Sequence, residues 1–133
     1  MNLFLQQSSL KSDTIFQIAG SKSISNRLLI LQQLYPGLKI QNISDAEDTF
    51  MLKKALSSSL NTIDIHHAGT AMRFLTAYFA TRDGREVVLT GSSRMKQRPI
   101  GELVKALQQL GSSIEYLEKE GYPPLKITGK KIV

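Results

Sequence analysis

Residues 98–111 read RPIGELVKALQQLG, and how this stretch folds decides the architecture on both sides of it. Ile100, Leu103, Val104, Leu107 and Leu110 recur at i, i+3, i+4, i+7 and i+10, the spacing of one helical face. Pro99 suits the first helical turn, where its missing N–H costs no hydrogen bond. Gly111 sits where a C-terminal cap belongs. The flanking segments read as strands: Arg85 to Leu89 before the helix, then Ser113 to Leu117 and Leu125 to Thr128 after it. The last two are joined by a turn through Gly121 and Pro123-Pro124. Farther upstream, Thr62 to His66 alternates like a strand and Gly69 to Ala80 is patterned like a helix. From Thr62 onward the predicted order is βαβαββ, an α/β chain of the α+β type.

The amino-terminal half has the same rhythm. Thr14 to Ile18 reads as a short strand ended by Ala19-Gly20. A helix is predicted from about Ser23 to Leu34, with Ile24, Leu28, Leu31 and Tyr35 as its apolar stripe and Pro36-Gly37 as its stop. Leu38 to Ile43 reads as a second strand. Ser44-Asp45-Ala46-Glu47 has the Ser-x-x-Glu form of a capping box and opens a helix to about Ser58. The string LQQL ends a helix before a glycine twice, at 31–34 and 107–110, a trace of internal repetition.

Composition narrows the class. A chain of 133 residues, 41% apolar, makes one compact domain with a real core. It has no cysteine, which excludes disulfides, thiolate metal sites and a cysteine nucleophile. The amino terminus lacks the basic flank and apolar run of an export signal, and no stretch is long enough to span a membrane, so a cytoplasmic protein is expected. The net charge of +6 is scattered rather than gathered into a stripe, and there is no tryptophan to stack on bases. One bias is local: no acid occurs from Val87 to Gly101, while Arg94, Lys96 and Arg98 fall within five residues. With Lys22, Arg27 and Arg73 they form a set suited to a small phosphorylated or carboxylated ligand.

The chemistry gathers where helices begin. GSKS at 20–23, HAGTAMR at 67–73 and RMKQRP at 94–99 all precede or open a helix. Free N–H groups and the positive end of the helix dipole make such places receptive to anions. Gly20 and Gly69 allow close approach to the backbone, and arginine adds a fork that matches carboxylate or phosphate. Taken singly, Ser23 reads as an ordinary helix cap, and Asp45, Glu47 and Asp48 as complements to a helix start. Three such starts together, each with a cation, favour a binding site.

GSKSISNR (20–27), HAGTAMRF (67–74), LTGSSRMKQRPIGELVKAL (89–107) and YPPLKITG (122–129), in that order, resemble the 5-enolpyruvylshikimate-3-phosphate synthases, the shikimate-pathway enolpyruvyl transferases. The resemblance covers essentially the whole chain, which corresponds to the amino-terminal part of that longer enzyme. It implies a two-domain fold of repeated βαβαββ units, with one complete and one incomplete unit here. Residues 1–19 would belong to the other domain or the hinge, and 20–133 to the amino-terminal domain. The implied substrates are phosphoenolpyruvate and shikimate 3-phosphate, with no cofactor, no metal, no nucleic acid and no membrane; the missing carboxy-terminal domain would be the chain's partner. By position, Lys22 matches a catalytic lysine touching both substrates, and Ser23 and Arg27 match contacts to shikimate 3-phosphate. Gly69, Arg98, Arg73 and His67 match the phosphoenolpyruvate side. The implied reaction adds the 5-hydroxyl of shikimate 3-phosphate to the enol carbon of phosphoenolpyruvate and releases phosphate. A chain lacking the second domain and its acidic residues is expected to be inactive alone.

Three departures from the family pattern stand out. The link between Leu60 and His66 is short, His67 replaces the usual asparagine, and Phe74 replaces the usual proline. Two other readings stay open at the level of sequence. One is the related UDP-N-acetylglucosamine enolpyruvyl transferase, disfavoured by GSKSISNR and the absence of cysteine. The other is a basic nucleic-acid-binding module, whose binding would fall steeply with salt.

Overall fold

The structure is a computed structural model that describes residues 2–9 and 12–131. Its elements are α1 (Lys22–Leu34), α2 (Glu47–Leu56), β1 (Thr62–Asp64), α3 (Gly69–Ala80), β2 (Glu86–Thr90), a 3-10 turn (Met95–Gln97), α4 (Gly101–Gln109), β3 (Ser113–Tyr116) and β4 (Leu125–Thr128). From β1 onward the order is βαβαββ, as predicted. The strands form one sheet in the order β1-β2-β4-β3, with β1 parallel to β2 and the other pairs antiparallel.

Alternation along the strands places one apolar face against the helices. Val87 and Leu89 of β2 stand opposite Ile127 and Leu125 of β4, and Ile114 of β3 pairs with Ile127. All five are buried, each worth about 1.5–3 kcal/mol relative to exposure. The opposite face is polar, where Lys126 meets Glu86 at 3.3 Å. Helix α3 occupies the middle, touching β2 and β4 as well as α1, α2 and α4. That position explains why Gly69, Ala71, Met72, Leu75, Thr76, Phe79 and Ala80 are all buried.

Several boundaries differ from the sequence reading, each for a local reason. No strand forms at Thr14–Ile18 or Leu38–Ile43. Ile15, Phe16 and Ile18 are exposed, so no partner ladder rewards extending them. Between the two segments the Asn42 amide donates to the Ile18 carbonyl at 3.4 Å. β1 stops at Asp64, not His66, because the Asp64 carboxylate accepts the His66 N–H at 2.8 Å and His66 takes φ of 48°. α4 begins at Gly101, two residues past Pro99, because the Ile100 N–H is given to the Gly121 carbonyl at 2.8 Å. Gly111 follows its end with φ of 93°, the cap conformation the sequence called for. At α2 no capping box forms: Ala46 is the cap position, and the Ser44 hydroxyl accepts the Ala46 N–H at 3.2 Å.

The apolar stripe of α1 lies on a different face from the one predicted. Ile24, Leu31 and Tyr35 are exposed, while Ser25, Asn26 and Leu29 are inside. Both polar residues find partners there, although the Asn26 amide nitrogen is left buried without one. Ser25 accepts the Ser44 N–H at 2.9 Å, and the Asn26 carbonyl oxygen accepts the Thr49 hydroxyl at 2.7 Å.

Candidate active site

The α1 start is built around Ser21, whose hydroxyl accepts the Ile24 N–H at 3.5 Å and so caps the helix. Ser23, the cap by sequence, is instead the second helical residue. It is engaged by Arg27 one turn later, which donates to its carbonyl at 2.8 Å and its hydroxyl at 2.6 Å. The Arg27 guanidinium also lies 5.6 Å from the centre of the Phe74 ring, linking α1 to α3. Phe74, one of the departures from the family pattern, thus helps to orient a cation. Lys22 is exposed on the same first turn.

The second group surrounds the start of α3. Gly69 is buried, and the Arg98 guanidinium covers it so closely that a Cβ on Gly69 would lie 2.8 Å from the Arg98 Cζ. His67, Arg94, Met95 and Arg98 line a cavity of about 450 Å³. His67 Nδ1 lies 2.7 Å from the Ser92 hydroxyl. From α2, the Asp48 carboxylate accepts the Thr70 N–H at 3.4 Å, using one of the free donors at the α3 start.

Arg73 stands apart from this cavity. Its guanidinium donates to the Gly69 carbonyl at 3.3 Å and the Pro99 carbonyl at 3.1 Å, and it lines a separate cleft with Tyr116 and Tyr122. In that cleft burial pushes the Tyr116 phenol above its ordinary 10.0, with Glu120 adding to the effect. Arg27 lines a third depression, an apolar groove between α1 and α3. The structure therefore joins Gly69, His67 and Arg98, keeps Lys22, Ser23 and Arg27 together on α1, and gives Arg73 a bracing position. The sequence reading gave no role to Ser92, which lies within the 89–107 motif but 25 residues from His67.

Charge is the common property of these places. Among the described residues the ion pairs are Lys96–Glu118, Lys105–Glu102 and Lys126–Glu86. Lys22, Arg27, Arg73, Arg94 and Arg98 take part in none of them. Cations left without carboxylate partners beside an open cavity are suited to receive an anion.

This fold defines a class. It matches the EPSP synthase of Acinetobacter baumannii with a TM-score of 0.72 at 20% identity, over 86% of this chain and 31% of that one. The EPSP synthase (3-phosphoshikimate 1-carboxyvinyltransferase) family matches residues 51–133, and the chain belongs to that family. The 3-phosphoshikimate 1-carboxyvinyltransferase of Bacteroides fragilis is 50% identical over 117 residues, which is 87% of this chain and 28% of that protein. The one from Pseudoalteromonas atlantica is 40% identical over 154 residues, 96% of this chain and 35% of that protein. That alignment is longer than the present chain, so the relative carries insertions within the matched region. The chain spans about a third of the length of such curated relatives. No helix among the described residues is long and apolar enough to cross a membrane.

Proposed function

We propose that this chain is the amino-terminal part of a 3-phosphoshikimate 1-carboxyvinyltransferase, with residues 20–133 in its amino-terminal domain and 1–19 belonging to the hinge or the other domain. The whole protein transfers the enolpyruvyl group of phosphoenolpyruvate to the 5-hydroxyl of shikimate 3-phosphate in the cytoplasm. Lys22 reaches both substrates, and Ser23 and Arg27 hold shikimate 3-phosphate. Gly69, His67 and Arg98 receive phosphoenolpyruvate, and Arg73 serves that side by bracing the Pro99 carbonyl next to Arg98. The observation that carries the reading is the Arg98 guanidinium over Gly69, beside His67 and Arg94, without a carboxylate partner among the described residues.

The reaction explains the demand for such groups. The 5-hydroxyl oxygen bonds to the enol carbon and gives up its proton, the methylene carbon takes a proton, and phosphate leaves with the electrons of its C–O bond as the double bond re-forms and a methyl proton is lost. Two multiply charged anions must first be brought together, which requires neutralised charge, and fixed orientation is worth ~7–11 kcal/mol in favourable cases. Arginine and N–H donors then stabilise the charge that gathers on the leaving phosphate.

The test is phosphate release from the two substrates by the full-length protein and its Lys22→Ala variant. Substrate-dependent release that falls at least a hundredfold in the variant is expected. Unchanged release in Lys22→Ala, or none from the full-length protein, would sink the assignment.

A further inference from the structure

We propose that Ser92 is a positioning residue that holds His67 with its Nε2–H directed to a phosphate or carboxylate group in the His67–Arg94–Arg98 cavity; this rests on the reading of that cavity as an anion site. Ser92 is fixed from three sides. Its N–H donates to the His66 carbonyl at 3.1 Å, its carbonyl accepts the Lys96 N–H at 3.0 Å, and its hydroxyl oxygen accepts the Met95 N–H at 3.2 Å. A hydroxyl has one proton and two lone pairs. With Met95 on one lone pair, the Ser92 proton is free to point at His67 Nδ1, 2.7 Å away.

That choice sets the tautomer. A neutral imidazole carries one donor and one acceptor, and the hydrogen bond at one nitrogen decides the role of the other. When Ser92 donates to Nδ1, the proton of the ring is on Nε2, the nitrogen left to meet a ligand. The opposite assignment would present a lone pair to an incoming anion and repel it. When the ring becomes charged, Nδ1–H turns to the second lone pair of the same hydroxyl, so the ring keeps its place. His67 thus donates to an anion in either state. The charged groups that line the cavity with it are Arg94 and Arg98 from the segment after β2; the nearest carboxylates in sequence and at the α3 start are Asp64 of β1 and Asp48 of α2. Both carboxylates are already engaged by backbone N–H groups, of His66 and Thr70.

The experiment uses the full-length protein with ¹⁵N-labelled histidine, its Ser92→Ala and Ser92→Thr variants, and His67→Asn to assign the signal. Phosphoenolpyruvate and inorganic phosphate are the probes. Wild type is expected to show neutral His67 in the Nε2–H form, and Ser92→Ala a mixture of both forms. Ser92→Ala should raise KM for phosphoenolpyruvate roughly fivefold, the order of one neutral hydrogen bond, with kcat little changed. Ser92→Thr should restore both properties. An Nδ1–H form in wild type, or a Ser92→Ala variant with unchanged spectrum and KM, overturns the proposal. A Ser92-dependent Nε2–H signal in a protein that binds neither probe supports the pairing and overturns the reading of the cavity instead.

Discussion

Replacing Gly69 by alanine separates binding from folding at one position. A Cβ there would lie 2.8 Å from the Arg98 Cζ and 3.0 Å from its Nη2, distances that carbon atoms do not tolerate. The obstacle is the far end of a flexible side chain, so the guanidinium swings away and the helix stays. Gly69 is the first residue of α3, where alanine favours the helix by up to ~1 kcal/mol. Thermal stability should therefore hold or rise slightly. The loss falls on the anion, which forfeits a charge-assisted hydrogen bond of ~1.5–3 kcal/mol, or about 10–150-fold in affinity. Phosphoenolpyruvate KM and thermal midpoint would be measured for Gly69→Ala, Arg98→Ala and the double variant. Because the alanine acts through Arg98, the double variant should be little worse than Arg98→Ala alone. Gly129→Ala is the contrast: there the methyl would lie 2.7 Å from the Phe79 carbonyl oxygen and closer still to the Arg82 carbonyl, backbone that cannot step aside. It should cost several kcal/mol of stability. Additive losses in the double variant, or a Gly69→Ala protein as unstable as Gly129→Ala, would refute the reasoning.

Two further outcomes are expected. Tyr116 has a raised phenol pKa in the fold, so its contribution to stability is full below pH 10.0 and is lost as pH rises through the folded value; denaturant midpoints of Tyr116→Phe should decline less steeply above pH 10. Thr49→Val removes the partner of the buried Asn26 carbonyl oxygen and should cost about 1–3 kcal/mol in urea unfolding, with no effect on KM.

The sequence made some elements legible and hid others for physical reasons. α3 is predicted residue for residue because Gly69 opens it and nearly every side is apolar, so no choice of face is needed. On α1 a choice was needed, and hydrophobicity chose wrongly: Ser25 and Asn26 are interior with partners on other segments, the Ser44 N–H and the Thr49 hydroxyl. Strand propensity at Thr14–Ile18 and Leu38–Ile43 is real, but a strand exists only with a ladder partner. At the site, the cations and Gly69 were readable because their residue types declare their chemistry. Arg73 looks the same in sequence, yet its guanidinium is spent on the Gly69 and Pro99 carbonyls. The motif holds Ser92, but its pairing with His67 could not be read, since a fold that brings residue 92 to residue 67 creates it.

The short link between α2 and β1 is closed by one side chain from elsewhere. Arg85, just before β2, donates to the carbonyls of Ser58, Ser59 and Leu60 at 3.3, 3.3 and 2.7 Å. Three successive acceptors in a connection with no secondary structure of its own are thereby satisfied by a single planar fork. In mechanical terms, such a cation is a clip: it fastens the connection to the start of β2 without any ladder of its own. Relatives with a longer connection at this place should be free to vary the residue corresponding to Arg85, whereas chains as short as this one should not.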